Sequence, residues 1–289
     1  MKKIFYNLIT SLRSTWQEPY LRKINGSYDA ILDRRTEEIK ANIALSMPDN
    51  VVLNGYKCYS SLEEDGIIEA IFKRIAAPQK VFIEIGCGRG LENNTHFMLL
   101  NNWKGVWVDG NTSFINDITN FLGGATFKNL LVKKCFVTKE NIKDLVTGAY
   151  VHFNTDEIDF FSLDIDGNDY HIMQILFDAA FFPKVVCVEY NAKWGVHSTV
   201  KVSYDADFVW AGDDYMGVSL GAWNEIFNAN NYTLLCCDVA GNNAFFIRNE
   251  FKPLFTIYPA DKLYQPARYY LTKKRSGHKN SLKMLKNIL

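Results

Sequence analysis

The chain has 289 residues, 48% hydrophobic and 14% aromatic, with 32 basic and 32 acidic side chains. That balance excludes a disordered polyelectrolyte, and the length fits one domain with extensions or two small domains. No apolar run is long enough to span a membrane, and the six cysteines form no C-x-x-C pair, which argues against membrane proteins, disulfide scaffolds and zinc ribbons.

From the amino end, Ile4, Phe5, Leu8, Ile9, Leu12 and Trp16 fall on one helical face. With no A-x-A cleavage site following, residues 1–60 read as a helical extension, either packed on the body or lying on a membrane surface. Ser61 and Glu64 have capping-box spacing, and Ile67, Ile68, Ile71, Phe72 and Ile75 mark the buried face of the helix they open.

Next comes Val81-Phe-Ile-Glu-Ile-Gly-Cys-Gly-Arg-Gly90, an apolar run ending in an acid, then glycines at alternate positions. This reads as a buried parallel strand and a tight turn whose N–H groups can approach a ligand. Val106-Trp-Val-Asp109 follows, and a carboxylate at the tip of a second strand suits a ribose diol. Dinucleotide enzymes favour G-x-G-x-x-G; here Gly86, Gly88 and Gly90 are evenly spaced and preceded by Glu84. An anion there disfavours pyrophosphate and favours a cationic ligand such as S-adenosylmethionine. The E-x-G-x-G-x-G pattern resembles the first motif of class I methyltransferases.

Strands are expected near 81–85, 105–109, 130–136, 158–164 and 184–190, with helices near 93–101, 112–122, 139–147 and 168–180. The alternation implies a parallel sheet. A helix capped by Ser219 and strands at 232–237 and 244–248, joined by a Gly/Asn turn, complete seven strands with a terminal hairpin. Asp164, Asp166 and Asp169 follow the fourth strand, and Glu189 and Asn191 end the fifth. Close acids need a cation or a proton between them, and hard oxygen ligands suit Mg²⁺ or Ca²⁺. Equally, Asp166-Gly-Asn-Asp169 reads as a helix cap. Between Asn191 and Ser219 lies a long loop with Trp194, Tyr204, Phe208, Trp210 and Tyr215 among Lys193, His197 and several aspartates, a mixture suited to carbohydrate. After Asp261 there are eight bases and no acid, leaving 24 bases against 32 acids before it. Such a tail is either a solvated end or a surface for an anionic membrane or glycan.

Taken in order, Glu64-Asp-Gly-Ile-Ile68, Glu84-Ile-Gly-Cys-Gly, Leu91-Glu-Asn-Asn-Thr95, Leu163-Asp-Ile-Asp-Gly-Asn-Asp-Tyr170, Glu189-Tyr-Asn191, Gly217-Val-Ser-Leu220 and Asn243-Ala-Phe-Phe246 resemble FkbM-type methyltransferases, narrowly those encoded with bacterial surface-polysaccharide genes. The likeness covers roughly 55 to 250. It implies a Rossmann-like class I methyltransferase domain over 61–250, with a seven-stranded, mostly parallel sheet, helices on both faces and an antiparallel last strand. The basic tail would occupy 251–289. The implied activity is O-methylation of a sugar hydroxyl on a surface polysaccharide, glycolipid or nucleotide-sugar precursor. Glu84, Gly86, Gly88, Asn94, Asp109 and Thr138 would hold S-adenosylmethionine; Asp164, Glu189 and Asn191 would hold a divalent cation such as Mg²⁺; Asp166 or His197 would be the base.

The competing classes are a nicotinamide sugar oxidoreductase, which lacks its glycine spacing and a Y-x-x-x-K pair, and a non-catalytic scaffold in a glycan-assembly complex. Nucleic acid is not an expected partner, because the body is acidic and carries no aromatic-proline motif for a target base. The expected location is cytoplasmic, with the termini as contacts for the inner membrane face or a glycosyltransferase.

Overall fold

The computed structural model describes residues 26–273 and 280–289. The apolar face of 4–16, His278, Lys274, Arg275 and Lys279 lie outside the described residues. Seven strands form one sheet in the order β3-β2-β1-β4-β5-β7-β6. They are β1 Val81–Ile85, β2 Lys104–Asp109, β3 Leu130–Lys134, β4 Phe160–Leu163, β5 Val185–Glu189, β6 Tyr232–Cys237 and β7 Asn243–Arg248. All pairings are parallel except those of β7, which runs antiparallel to both β5 and β6. This is a Rossmann-like architecture with the expected seven strands, the antiparallel last strand inserted between β5 and β6.

The central strands are buried on both faces, which is why VFIEI and VVCVE read as unbroken apolar runs rather than alternating ones. Gly105 lies flat against the ring of Phe82 where a β-carbon would have no room. On the other half of the sheet Phe227 stacks on Phe246 with ring centroids 4.0 Å apart.

The helices are α1 (26–46), α2 Glu64–Phe72, α3 His96–Leu100, α4 Thr112–Leu122, α5 Ile142–Phe153, α6 Asp169–Asp178, α7 Leu220–Ala229 and α8 Ala260–Leu263. Helix α2 starts three residues after the expected cap. Ser61 Oγ donates to the Glu64 carboxylate, which also accepts from Leu62 N, so the pair closes the preceding turn instead of capping the helix. Helix α3 is shorter than expected because 93–95 are drawn off to the β1 carboxylate described below. Helix α5 begins later than expected because Asn141 Oδ1 takes Thr138 N and its amide takes Phe136 O, closing a turn over 138–141.

Both flanking regions join the same core. Helix α1 buries Leu32, Ile39 and Ile43, and Lys40 reaches Gly55 O at 2.9 Å and Glu63 at 3.3 Å. Beyond 250, Leu263, Leu271, Leu282 and Leu285 are buried, and Asn280 donates to Leu91 O. Among the described residues no helix is long and apolar enough to cross a membrane.

Candidate functional site

The sheet order turns back between β1 and β4, so the loops leaving these strands part and open a crevice at their carboxyl ends. A cleft of about 510 Å³ lies there. Its floor is Gly86, Gly88 and the 164–168 turn; Asp109, Asn111 and Phe114 form one side, Cys135 to Val137 another, and Phe208 to Trp210 the third.

The glycine turn is built for this position. Gly86 has φ +87°, and a β-carbon there would overlap the carbonyl oxygen of Asp164, the residue that follows β4. Gly86 N and Cys87 N both donate to Val108 O on β2, tying the turn across the sheet. Gly88 has φ +57° with open space around it, and its N–H donates to Asp109 Oδ2 at 2.8 Å. Asp109 Oδ1 accepts from Asn111 N at 2.7 Å, and Asn111 in turn caps α4. Each oxygen keeps a free lone pair toward the cleft. Burial raises the Asp109 pKa above the usual carboxylate range.

Glu84 does not line the cleft. Its carboxylate points behind the glycine turn and accepts from Asn93 Nδ2, Asn94 N and Thr95 Oγ1. Thr95 Oγ1 also accepts from Trp107 Nε1 at 2.7 Å, so Glu84 ends a relay that runs into the core. Burial pushes its pKa up to about 7, against the opposing pull of those hydrogen bonds. Glu84, expected to hold a ligand, here bonds the loop that follows the turn. Asn94 is likewise turned away, its amide donating to Ser162 Oγ at 3.0 Å. Thr138 lies beyond the lining residue Val137 and is not itself on the cleft wall.

At the end of β4 the acids do converge. Asp164, Asp166 and Glu189 each offer a carboxylate oxygen, all within 4.8 Å of one another. Burial, followed by the neighbouring carboxylates, holds both Asp164 and Glu189 well above the usual range. Glu189 Oε2 is buried with no hydrogen-bond partner. Such a set fits a hard divalent cation or a shared proton. Asn191 is not part of it. Its Oδ1 accepts from Lys193 N and its Nδ2 donates to Asp214 O and Met216 O, which commits both amide N–H groups to the loop. Asp166 takes the place expected of Asn191.

Asp166 lines the cleft with φ +63°, a left-handed conformation uncommon for a residue other than glycine or asparagine. Burial, and next the charge of Asp109, raises its pKa. The turn carrying it is clamped by Asp169, whose Oδ1 accepts from Ile165 N at 2.8 Å. The cap reading of 166–169 fails in one respect: the N-cap Asn168 makes no side-chain cap bond and reaches across to Asp205 instead. His197 is exposed and absent from the cleft wall, so it is corrected as a base. His171 is tied to Val202 O. Phe114, Asn111, Phe136 and Asn168 belong to the cleft and were missed; the Asn-Thr-Ser cap signal after Asp109 pointed to the first two.

No family model matches the chain, and no curated protein matches it. Solved structures do. An S-adenosylmethionine-dependent methyltransferase from Clostridium acetobutylicum is 14% identical, covering 64% of this chain and 90% of its own, with a TM-score of 0.37. An SAH-bound methyltransferase from Podospora anserina is 13% identical over 63% and 78% of the two chains, at 0.38. A dimethyladenosine transferase from Plasmodium falciparum is 14% identical over 67% and 64%, at 0.36. At these scores none of them assigns a residue or an acceptor to this chain.

Proposed function

We propose that the chain is an S-adenosylmethionine-dependent methyltransferase. One observation carries this reading: among the described residues the cleft wall holds three carboxyl groups, Asp109, Asp164 and Asp166, and no lysine, arginine or histidine, the nearby Arg89 lying behind the ring of Phe114 and paired with Asp117. A pyrophosphate placed there would meet like charge with no counter-ion, at a cost of about 3 kcal/mol for each charge pair 5 Å apart at an effective dielectric of 20. A sulfonium or ammonium reverses that sign. The nicotinamide reading loses on this arithmetic. When bound, S-adenosylmethionine supplies the methyl group. Asp109 accepts the ribose hydroxyls, and Gly86 and Gly88 let the backbone approach.

The finer reading is an FkbM-type O-methyltransferase acting on a sugar hydroxyl of a surface polysaccharide, glycolipid or nucleotide-sugar precursor. It is supported by the rings of Phe136, Phe208 and Trp210 at the cleft mouth, flat faces for sugar C–H groups, beside carboxylates that accept hydroxyls. With no metal bound, Asp166 takes the hydroxyl proton in this reading, its raised pKa making it a stronger base; with Mg²⁺ bound it would serve as a ligand instead. Asp164, Asp166 and Glu189 would hold a Mg²⁺ ion, whose charge acidifies a hydroxyl. The test is incubation with methyl-labelled S-adenosylmethionine and a panel of nucleotide sugars and lipid-linked saccharides. Label recovered in an O-methyl sugar supports the reading; label entering only amines or carbon centres overturns it.

A further inference from the structure

Two asparagines in the molecule are spent in the same unusual way. Asn168, 3% exposed, donates from Nδ2 to Asp205 O at 2.7 Å and accepts at Oδ1 from Asp205 N at 3.2 Å. A side-chain amide thus imitates a strand partner for one residue of a surface loop. Asn191, 1% exposed, does the same work at the far end, donating to Asp214 O and Met216 O, each at 3.1 Å. Burying a primary amide costs free energy unless its bonds are made, and both side chains make theirs to loop backbone rather than to the core.

Between these two points the chain depends largely on itself. Asp207 N and Phe208 N turn back onto Asp205, and Trp210 Nε1 donates to Asp213 O. Phe208 lies flat over Gly167, where a β-carbon would run into its ring, and Gly217 N donates to Asp166 O at 2.9 Å. Val209 and Trp210 face solvent on one side and the cleft on the other, 76% and 41% exposed. The wall of the cleft is therefore a thin surface segment with its fastenings at the ends.

We propose that Asn168 and Asn191 are positioning residues that clamp the two ends of the 205–216 segment, holding the Phe208–Trp210 wall over the cleft. Both fastenings join the acidic turn and the β5 end to this wall, so its closure and the placement of Asp166 are set together. The clamp rests on the methyltransferase reading only for the identity of the ligand that the wall encloses.

The test uses the full chain without ligand. Asn168→Ala and Phe208→Ala are compared with wild type by hydrogen exchange and by peptide-resolved alkylation of Cys135, which lies on the opposite cleft wall. Loss of the two amide bonds should speed exchange of the 205–210 amides at least tenfold. His171 N and Ile172 N, bonded to the Asn168 carbonyl, should be unaffected. Alkylation of Cys135 should rise at least threefold. Phe208→Ala, which removes the ring packed over Gly167 but keeps the Asn168 bonds, should loosen the 205–210 amides less than Asn168→Ala; Asn168→Asp, which loses only the donor to Asp205 O, replaces Asn168→Ala if that variant does not fold. Unchanged exchange at 205–210, or faster exchange with no gain at Cys135, overturns the clamp. Wild-type protein that fails to bind S-adenosylhomocysteine would sink the methyltransferase reading and leave this result standing.

Discussion

Gly86 and Gly88 are both in the glycine turn and both left-handed, yet replacing them by alanine should cost different amounts of stability. At Gly88 the new methyl meets nothing within 4 Å, so the stability cost is the backbone strain alone, roughly 1 kcal/mol. At Gly86 the methyl overlaps the Asp164 carbonyl, which belongs to backbone and cannot swing aside. Relief requires moving the turn, at the expense of the Gly86 N and Cys87 N bonds to Val108 O and the Asp164 N bond to Ile85 O. At roughly 1 kcal/mol for each bond weakened, the total reaches about 3–4 kcal/mol. For 289 residues the unfolding entropy is about 0.6 kcal/mol per degree, so Gly86→Ala should lower Tm by roughly 5–7 °C and Gly88→Ala by roughly 2 °C. Gly88→Ala should weaken S-adenosylhomocysteine binding despite its small Tm loss, because its methyl projects into open space beside the Asp109 contact. Scanning calorimetry with an S-adenosylhomocysteine titration reads both. Equal Tm losses in the two variants would refute the assignment of Gly86 to the β1–β4 contact.

Other outcomes follow from the same geometry. Asp109→Ala should weaken S-adenosylhomocysteine binding by about 2 kcal/mol, near thirtyfold, for loss of charge-assisted bonds; calorimetry with an unchanged Kd would remove Asp109 from the site. Glu84, raised from 4.5 to about 7, binds its proton more tightly in the folded chain. Its contribution is therefore greatest below pH 4.5 and is lost as pH rises through 7, about 3 kcal/mol in all. Urea unfolding from pH 5 to 8 should show Glu84→Gln with a flatter profile than wild type, and parallel profiles would contradict it. If Asp164, Asp166 and Glu189 hold Mg²⁺, excess EDTA should abolish turnover and leave cofactor affinity intact; full turnover in EDTA would reduce them to proton-sharing acids. Trp210→Ala should raise the acceptor KM, while Tyr204→Ala should act through the loop, since Tyr204 OH bonds Glu140 and accepts from Lys139 N; identical effects in both would deny Trp210 a place at the acceptor.

What could be read from sequence is what local pattern controls. The central strand runs are apolar because both faces of the sheet are covered, and the turn after β1 needs glycine for reasons of φ and space that act within a few residues. The strands and the positions of Asp109, Asp164 and Glu189 at or just past their ends follow from this; the order of the strands in the sheet does not. Direction was not legible. Glu84 alternates with neighbours of known face, but which donors meet it depends on 93–95 folding back. Asn191 resembled a ligand because it ends a strand beside Glu189, yet its partners lie more than twenty residues onward at Asp214 and Met216. Asn168 resembled a helix cap for the same local reason, and its partner Asp205 is 37 residues away. His197 was chosen for its position in the loop, and the loop turns it to solvent. Small polar side chains have several short-range uses, and only the tertiary neighbour decides among them.

The most direct test of the account is calorimetric titration of the purified chain with S-adenosylmethionine, S-adenosylhomocysteine and NADH in parallel. The acidic cleft, which no cation lines among the described residues, predicts binding of the first two, weakened by Asp109→Ala, and no heat with NADH. Binding of NADH with no heat from either methionine derivative would contradict it.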